Sequence, residues 1–184
     1  MRLFFALWPD AGTRASIANA AAAVPVALGA RFVPRENYHL TLAFVGEVAS
    51  SRLALLLQMG HRQRAAGCTI EIDAYDYWPE PQVLLAVARE TPAALIALCT
   101  QLHEELARHR ASLDPGRRRP PQPTPLRVHV TLARKVAQAP VLPAMSPFHW
   151  SARSFSLVRS DTSGAHAVYT VVDTWPLLDE TPKP

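Results

Sequence analysis

The 184-residue sequence is poor in several things that would announce a function at once. It has two cysteines, Cys68 and Cys99, with neither the spacing of a metal site nor the density of a disulfide framework. Both are expected as buried free thiols, which fits a reducing compartment. There is no glycine-rich loop ending in Lys-Ser/Thr, no His-Glu-x-x-His and no clustered aspartate pair, so the familiar routes to phosphate and metal chemistry are not encoded. No apolar run approaches the about 18 residues that span a membrane, and no charged-then-apolar leader precedes a cleavage site. A cytoplasmic protein without membrane contact is expected. Charged residues are few, at 18% against 49% hydrophobic, a balance that excludes intrinsic disorder.

What is present is a chain long enough for one substantial core, or for two small lobes sharing one. The net charge of +4 favours a polyanionic partner only modestly, because scattered arginines make up most of the basic residues. The informative feature is a repeat. His39-Leu40-Thr41-Leu42 returns as His129-Val130-Thr131-Leu132, each inside a short apolar run, 38–45 and 126–134, of strand length. Side chains two apart on a strand share a face at roughly 6.5 Å. An imidazole and a hydroxyl so placed can both touch one phosphate-sized group. A single His-x-Thr pair is commonplace; two copies in Leu/Val-rich strands point to a site. Two imidazoles with ordinary pKa near 6.5 can act as one acid and one base at neutral pH, and each such group contributes ~10²–10⁴ in rate. The threonine hydroxyls can donate to oxygens where charge builds.

Along the chain, residues 2–8 read as a buried strand. Residues 13–23 read as an alanine-rich helix with Thr13 as N-cap, stopping before Pro25. After the first motif strand, Ser50 or Ser51 opens a helix with Leu53, Leu56 and Leu57 on one face, and Gly67 is its expected stop. Residues 68–77 alternate as one half-exposed strand, and 79–82 turn into a buried strand at 83–88. Pro92 is expected at the first position of a helix reaching about Arg108, with Leu95, Leu98, Cys99, Leu102 and Leu106 inward. Residues 111–125, with Arg117-Arg118-Arg119 and several prolines, read as a polyproline-like loop. Strands at 149–158 and 166–174 are expected to pair. The order strand, helix, motif strand thus occurs at 2–45 and again at 83–134, an internal duplication that places two half-lobes across a cleft.

The doubled tetrad resembles the 2H phosphoesterases, and more closely the RNA 2′,3′-cyclic phosphodiesterases, also called 2′–5′ RNA ligases. The likeness extends to Met1 through Leu7, to Phe32 through Glu47, to Tyr77-Trp78-Pro79 and to Ser160 through Tyr169, so it covers nearly the whole chain. The resemblance implies an α+β, duplicated two-lobe fold over 1–184 as a single domain, with antiparallel sheets lining a central groove and helices outside. It implies His39 as proton donor and His129 as proton acceptor; the residues alone do not decide which is which. It implies Thr41, Thr131 and Arg134 as substrate-binding residues. Strict alternation sets Arg134 on the face opposite His129, so it serves only where the strand ends or bends; Arg127 has the right parity but lies outside the family pattern. The remaining histidines (His61, His103, His109, His149 and His166) are expected to be surface or structural.

The function so implied is metal-independent opening of 2′,3′-cyclic phosphate ends to a 2′-phosphate, with reverse 2′–5′ ligation as a second capability. The partner is RNA or an oligonucleotide with such an end, acted on by a monomer without cofactor or metal. A small cyclic nucleotide and a 2′–5′ oligonucleotide stay open as substrates. The reading from another class is a non-catalytic RNA-binding module using the same groove; intact His and Thr in both tetrads speak against it. The triple arginine is either a solvated run or a guide for RNA.

Overall fold

Strand β1 (Arg2–Leu7) is buried on both faces from Leu3 onward, as its unbroken apolar run requires. In this computed structural model, which describes residues 1–113, 126–162 and 167–178, the chain then enters α1 (Ala11–Ala23). Asp10 caps that helix, and Thr13 does not: the Asp10 carboxylate accepts from the Thr13 backbone N–H at 2.7 Å. A carboxylate there also complements the positive end of the helix. The helix ends at Val24 because Pro25 excludes helical backbone from the residue before it.

A two-residue strand, β2 (Arg31–Phe32), and a helical turn at Arg35–Asn37 precede β3 (Leu40–Glu47). His39 therefore stands just ahead of the strand expected to contain it. Another turn at Ser50–Arg52 runs into α2 (Leu53–Arg62), which stops at Gln63, short of Gly67. Gly67 has a different task. Its N–H donates to the Leu178 carbonyl at 2.7 Å, and a Cβ there would lie 2.9 Å from the Ala152 carbonyl oxygen. Then follow β4 (Cys68–Ile72), β5 (Ala74–Trp78), β6 (Val83–Val87), α3 (Ala93–Arg108) and the short α4 (Arg110–Leu113). Pro92 is the N-cap of α3, one position before the helix. The second tetrad opens β7 (His129–Arg134), and β8 (Phe148–Ala152), β9 (Ser154–Asp161) and β10 (Val168–Pro176) complete the order. Most of the proline-rich loop, Arg117–Arg119 and His166 lie outside the described residues.

The strands form two four-stranded antiparallel sheets, β10-β9-β1-β3 and β2-β7-β6-β5, with β4 and β8 as a separate ribbon. The duplication is visible in them: β1 lies against β3 and β6 against β7. Two of the expected strands are each divided. β4 pairs with β8 while β5 joins β6, and β9 leaves β8 to pair with β1 and β10. The chain changes sheets at Asp73 and Arg153, where backbone bonds go elsewhere: Asp73 N–H to the Val87 carbonyl at 3.1 Å, and Leu177 N–H to the Arg153 carbonyl at 2.8 Å.

The helices cross between halves. α1, which follows β1, packs on β6, β7 and β8; α3, which follows β6, packs on β3. The two lobes consequently share one core, in which Leu3, Phe5 and Ile17 meet Leu84 and Leu132. Truncating one such side chain to alanine costs about 2–5 kcal/mol, the lost burial and the cavity left behind together. On the other face of β1, Phe4 and Ala6 form a smaller cluster with Val158, with Trp8 and Tyr169 packed beside it. That second face is the groove.

Candidate active site

The two motif strands share a defect. In β3, Ala6 lies opposite Thr41 and Phe5 opposite Ala43, so Leu42 has no partner of its own. In β7, Leu85 lies opposite Thr131 and Leu84 opposite Ala133, so Leu132 has none. Each tetrad ends in a β-bulge, and two consecutive side chains go inward there: Leu42 with Ala43, Leu132 with Ala133. The next residue returns to the face of the His and Thr. Strict alternation fails for this reason, and Arg134 comes round to the face of His129 and Thr131. The same step brings Phe44 to the face of His39, where its ring lies 6.3 Å from that of Phe4.

Each histidine is held the same way. His39 Nδ1 lies 2.7 Å from the Asn37 carbonyl, and His129 Nδ1 lies 2.6 Å from the Arg127 carbonyl. A carbonyl oxygen only accepts, so Nδ1 carries the hydrogen in both rings and Nε2 is left for a reacting partner. Asn37 is itself pinned, its side-chain N–H donating to the Ala167 carbonyl at 2.8 Å.

The surroundings differ. His39 stacks on Trp8 at 5.6 Å and 10° and meets Phe4 and Tyr169 at 5.0 and 5.1 Å. Burial pulls its pKa from 6.5 to about 4, with Arg134 and His129 pushing the same way and the Asn37 hydrogen bond opposing. Among the described residues His129 has one aromatic neighbour, Trp78, at 5.1 Å. Burial lowers its pKa too, assisted by the Arg127 and Arg134 charges; its hydrogen bond to the Arg127 backbone and the Asp76 carboxylate push upward. Asp76 ties this corner together. Its Oδ2 accepts from Arg127 at 2.8 Å and from Trp78 Nε1 at 2.9 Å, while the Arg127 guanidinium lies 5.2 Å from the centre of the Trp78 ring.

A cavity of about 220 Å³ opens between the lobes, with His39 from one motif and Thr131 and Arg134 from the other in its wall. Tyr169, Arg31 and Lys135 also line it. Thr41 and His129 are outside that lining, half-buried on their strands beside it. Arg127 is spent on Asp76. Of the other histidines, His61, His103 and His149 are exposed, and His109 lies 3.6 Å from Glu105 on its own helix. Among the described residues no group of three His, Cys, Asp or Glu is gathered as metal ligands. No helix there is long and apolar enough to cross a membrane. Sequence reasoning missed Trp8, Asn37, Asp76, Arg31 and Lys135. Only Trp8 carried a signal, an aromatic at the end of a strand next to the first motif's own; Asn37, Asp76 and Arg31 owe their places to Ala167, Arg127 and Arg134, distant in the chain.

Comparison with known proteins gives a consistent picture. Residues 7–85 match the family model described as LigT-like phosphoesterase. Curated relatives include the RNA 2′,3′-cyclic phosphodiesterase of Thermus thermophilus, 33% identical over 98% of this chain and 92% of that protein. The protein of that name from Escherichia coli is 32% identical over 96% of each. Among solved structures, one from Thermus thermophilus superposes with a TM-score of 0.83 at 30% identity, covering 98% of this chain and all of that one. Escherichia coli LigT complexed with 3′-AMP superposes with a TM-score of 0.81 at 29% identity, covering 96% and 98%.

Proposed function

The chain belongs to the LigT-like phosphoesterases, and on that premise we propose that it is a metal-independent RNA 2′,3′-cyclic phosphodiesterase. The observation that carries this reading is the matched pair of imidazoles, each with Nδ1 bound to the carbonyl two residues upstream and Nε2 free, beside a cavity walled by Thr131 and Arg134. His129 Nε2 takes a proton from water, whose oxygen attacks phosphorus. The bond from phosphorus to O3′ breaks, and His39 Nε2–H delivers its proton to that oxygen, leaving a 2′-phosphate. Thr41, Thr131 and Arg134 meet the non-bridging oxygens, where negative charge grows. With a 5′-hydroxyl in place of water, the same proton transfers join two strands by a 2′–5′ bond. The protein acts as a monomer in the cytoplasm on RNA or oligonucleotide ends.

Giving His39 the donor role follows the family pattern. In the free protein, burial works against it by favouring the neutral ring. The arriving phosphodiester anion is the charge that favours the imidazolium, so the kcat profile is expected at higher pH than that of kcat/KM. The test is incubation of an RNA ending in a 2′,3′-cyclic phosphate with the protein in EDTA, followed by location of the product phosphate. A 2′-phosphate is expected. No turnover, or turnover restored only by a divalent ion, overturns the reading.

A further inference from the structure

The second lobe carries more positive charge at the groove than one phosphodiester uses. Arg31 and Arg134 are directly opposite each other across β2 and β7, and Lys135 follows at the end of the strand. Like charges directly opposite in a sheet repel and destabilise the pair. None of the ion pairs among the described residues supplies a carboxylate to any of the three. Among the described residues, the cavity wall they share contains no acidic side chain. An anion between them removes the repulsion.

Lys135 strengthens the case. Its backbone sits at φ 56°, a left-handed conformation that a residue with a side chain adopts at a cost. The next residue is clamped there: Val136 N–H donates to the Gln82 carbonyl at 3.0 Å, and the Val136 carbonyl accepts from the Tyr77 hydroxyl at 2.7 Å. The strained residue is thus set in place by the fold and adds a cation to the cavity wall. Phe32, beside Arg31 in that wall and 48% exposed, adds an aromatic surface, the combination that single-stranded nucleic acid takes.

We propose that Arg31 and Lys135 form a second anion subsite, next to Arg134, for the internucleotide phosphate one step 5′ of the reacting end. This rests on the phosphodiesterase reading and makes the preferred substrate an oligonucleotide end over a cyclic mononucleotide. The experiment compares kcat/KM for adenosine 2′,3′-cyclic phosphate with that for an adenosine trinucleotide ending in 2′,3′-cyclic phosphate, across a range of NaCl. Wild type is expected to favour the trinucleotide by ~10-fold or more, the size of one charge-assisted hydrogen bond. In Arg31→Gln/Lys135→Gln the ratio falls toward one, and the salt slope for the trinucleotide drops by about 0.7, the loss of one neutralised phosphate on a single strand. Arg31→Lys/Lys135→Arg keeps both charges and should keep the ratio. A wild-type ratio near one, or a ratio and slope unchanged in the Gln variant, overturns the subsite while leaving the phosphodiesterase reading intact. No turnover of either substrate by wild type removes both.

Discussion

His39 and His129 occupy copies of one tetrad, and their backbones agree to the hydrogen bond. Each ring is fixed through Nδ1 to the carbonyl two residues before it, and each strand bulges after its threonine. Their surroundings do not agree. The bulge delivers an exposed Phe44 to the first face and an exposed Arg134 to the second. Phe4, Trp8 and Tyr169 enclose His39; Trp78, Arg127 and Asp76 surround His129. Duplicated backbone therefore repeats position, and unlike neighbours make the two positions chemically unequal. In the free protein that inequality favours the neutral ring at His39, where burial is the largest influence on its pKa.

The comparison can be broken most forcefully at the histidines themselves. His39→Ala and His129→Ala should each cost at least ~10²-fold in rate, and the double variant less than the product, since both act in one step. Steady-state rates for the three variants decide it. If His39→Ala keeps the wild-type rate while His129→Ala loses it, the first tetrad is a structural echo of the second.

Next come the threonines. Thr41→Ala and Thr131→Ala should fold normally, and loss of a single donor to a non-bridging oxygen costs about 10²-fold. Thr131, in the cavity wall, should lose the more of the two. Wild-type kcat/KM in both variants would make the hydroxyls sheet residues only.

Stability offers a subtler test of the first half. Above pH 6.5 the His39 ring is neutral folded and unfolded, and its full contribution to stability is present. As pH falls from 6.5 toward about 4 the unfolded chain takes up the proton first, so stability is lost, by about 3 kcal/mol at the end of the interval. His39→Gln should remove that part of the acid sensitivity in urea denaturation at pH 7 and pH 4.5. An unchanged difference between the two pH values would show that His39 is not held neutral by burial.

The smallest expected effects are shifts in titration, read from the histidine ring proton signals. Arg134→Gln removes a downward push on both rings, so both midpoints should rise. Asp76→Asn removes an upward push from His129 and leaves His39 unmoved, so only one should fall. Equal movement of both rings in Asp76→Asn would mean that the two sites are not electrically distinct.

Much of this was written locally. A period of two placed His and Thr on one face in each motif. A period of 3.6 marked the inner stripe of α3, and the matching order of elements revealed the duplication. Those features depend on side-chain chemistry and on spacing along the chain, which is what a sequence displays. Tertiary structure decided the rest. Alternation set Arg134 on the wrong face because a bulge exists only in the register between β7 and β6, strands joined through α3 and a long connection. One strand at 68–77 became two because the sheet partners of its halves come from different parts of the chain. The pKa of His39 could not be read from His-Leu-Thr-Leu, since Trp8, Phe4 and Tyr169 bury it and Arg134, far along the chain, repels its proton. Burial and charge act through space, and only the folded chain says which residues share it.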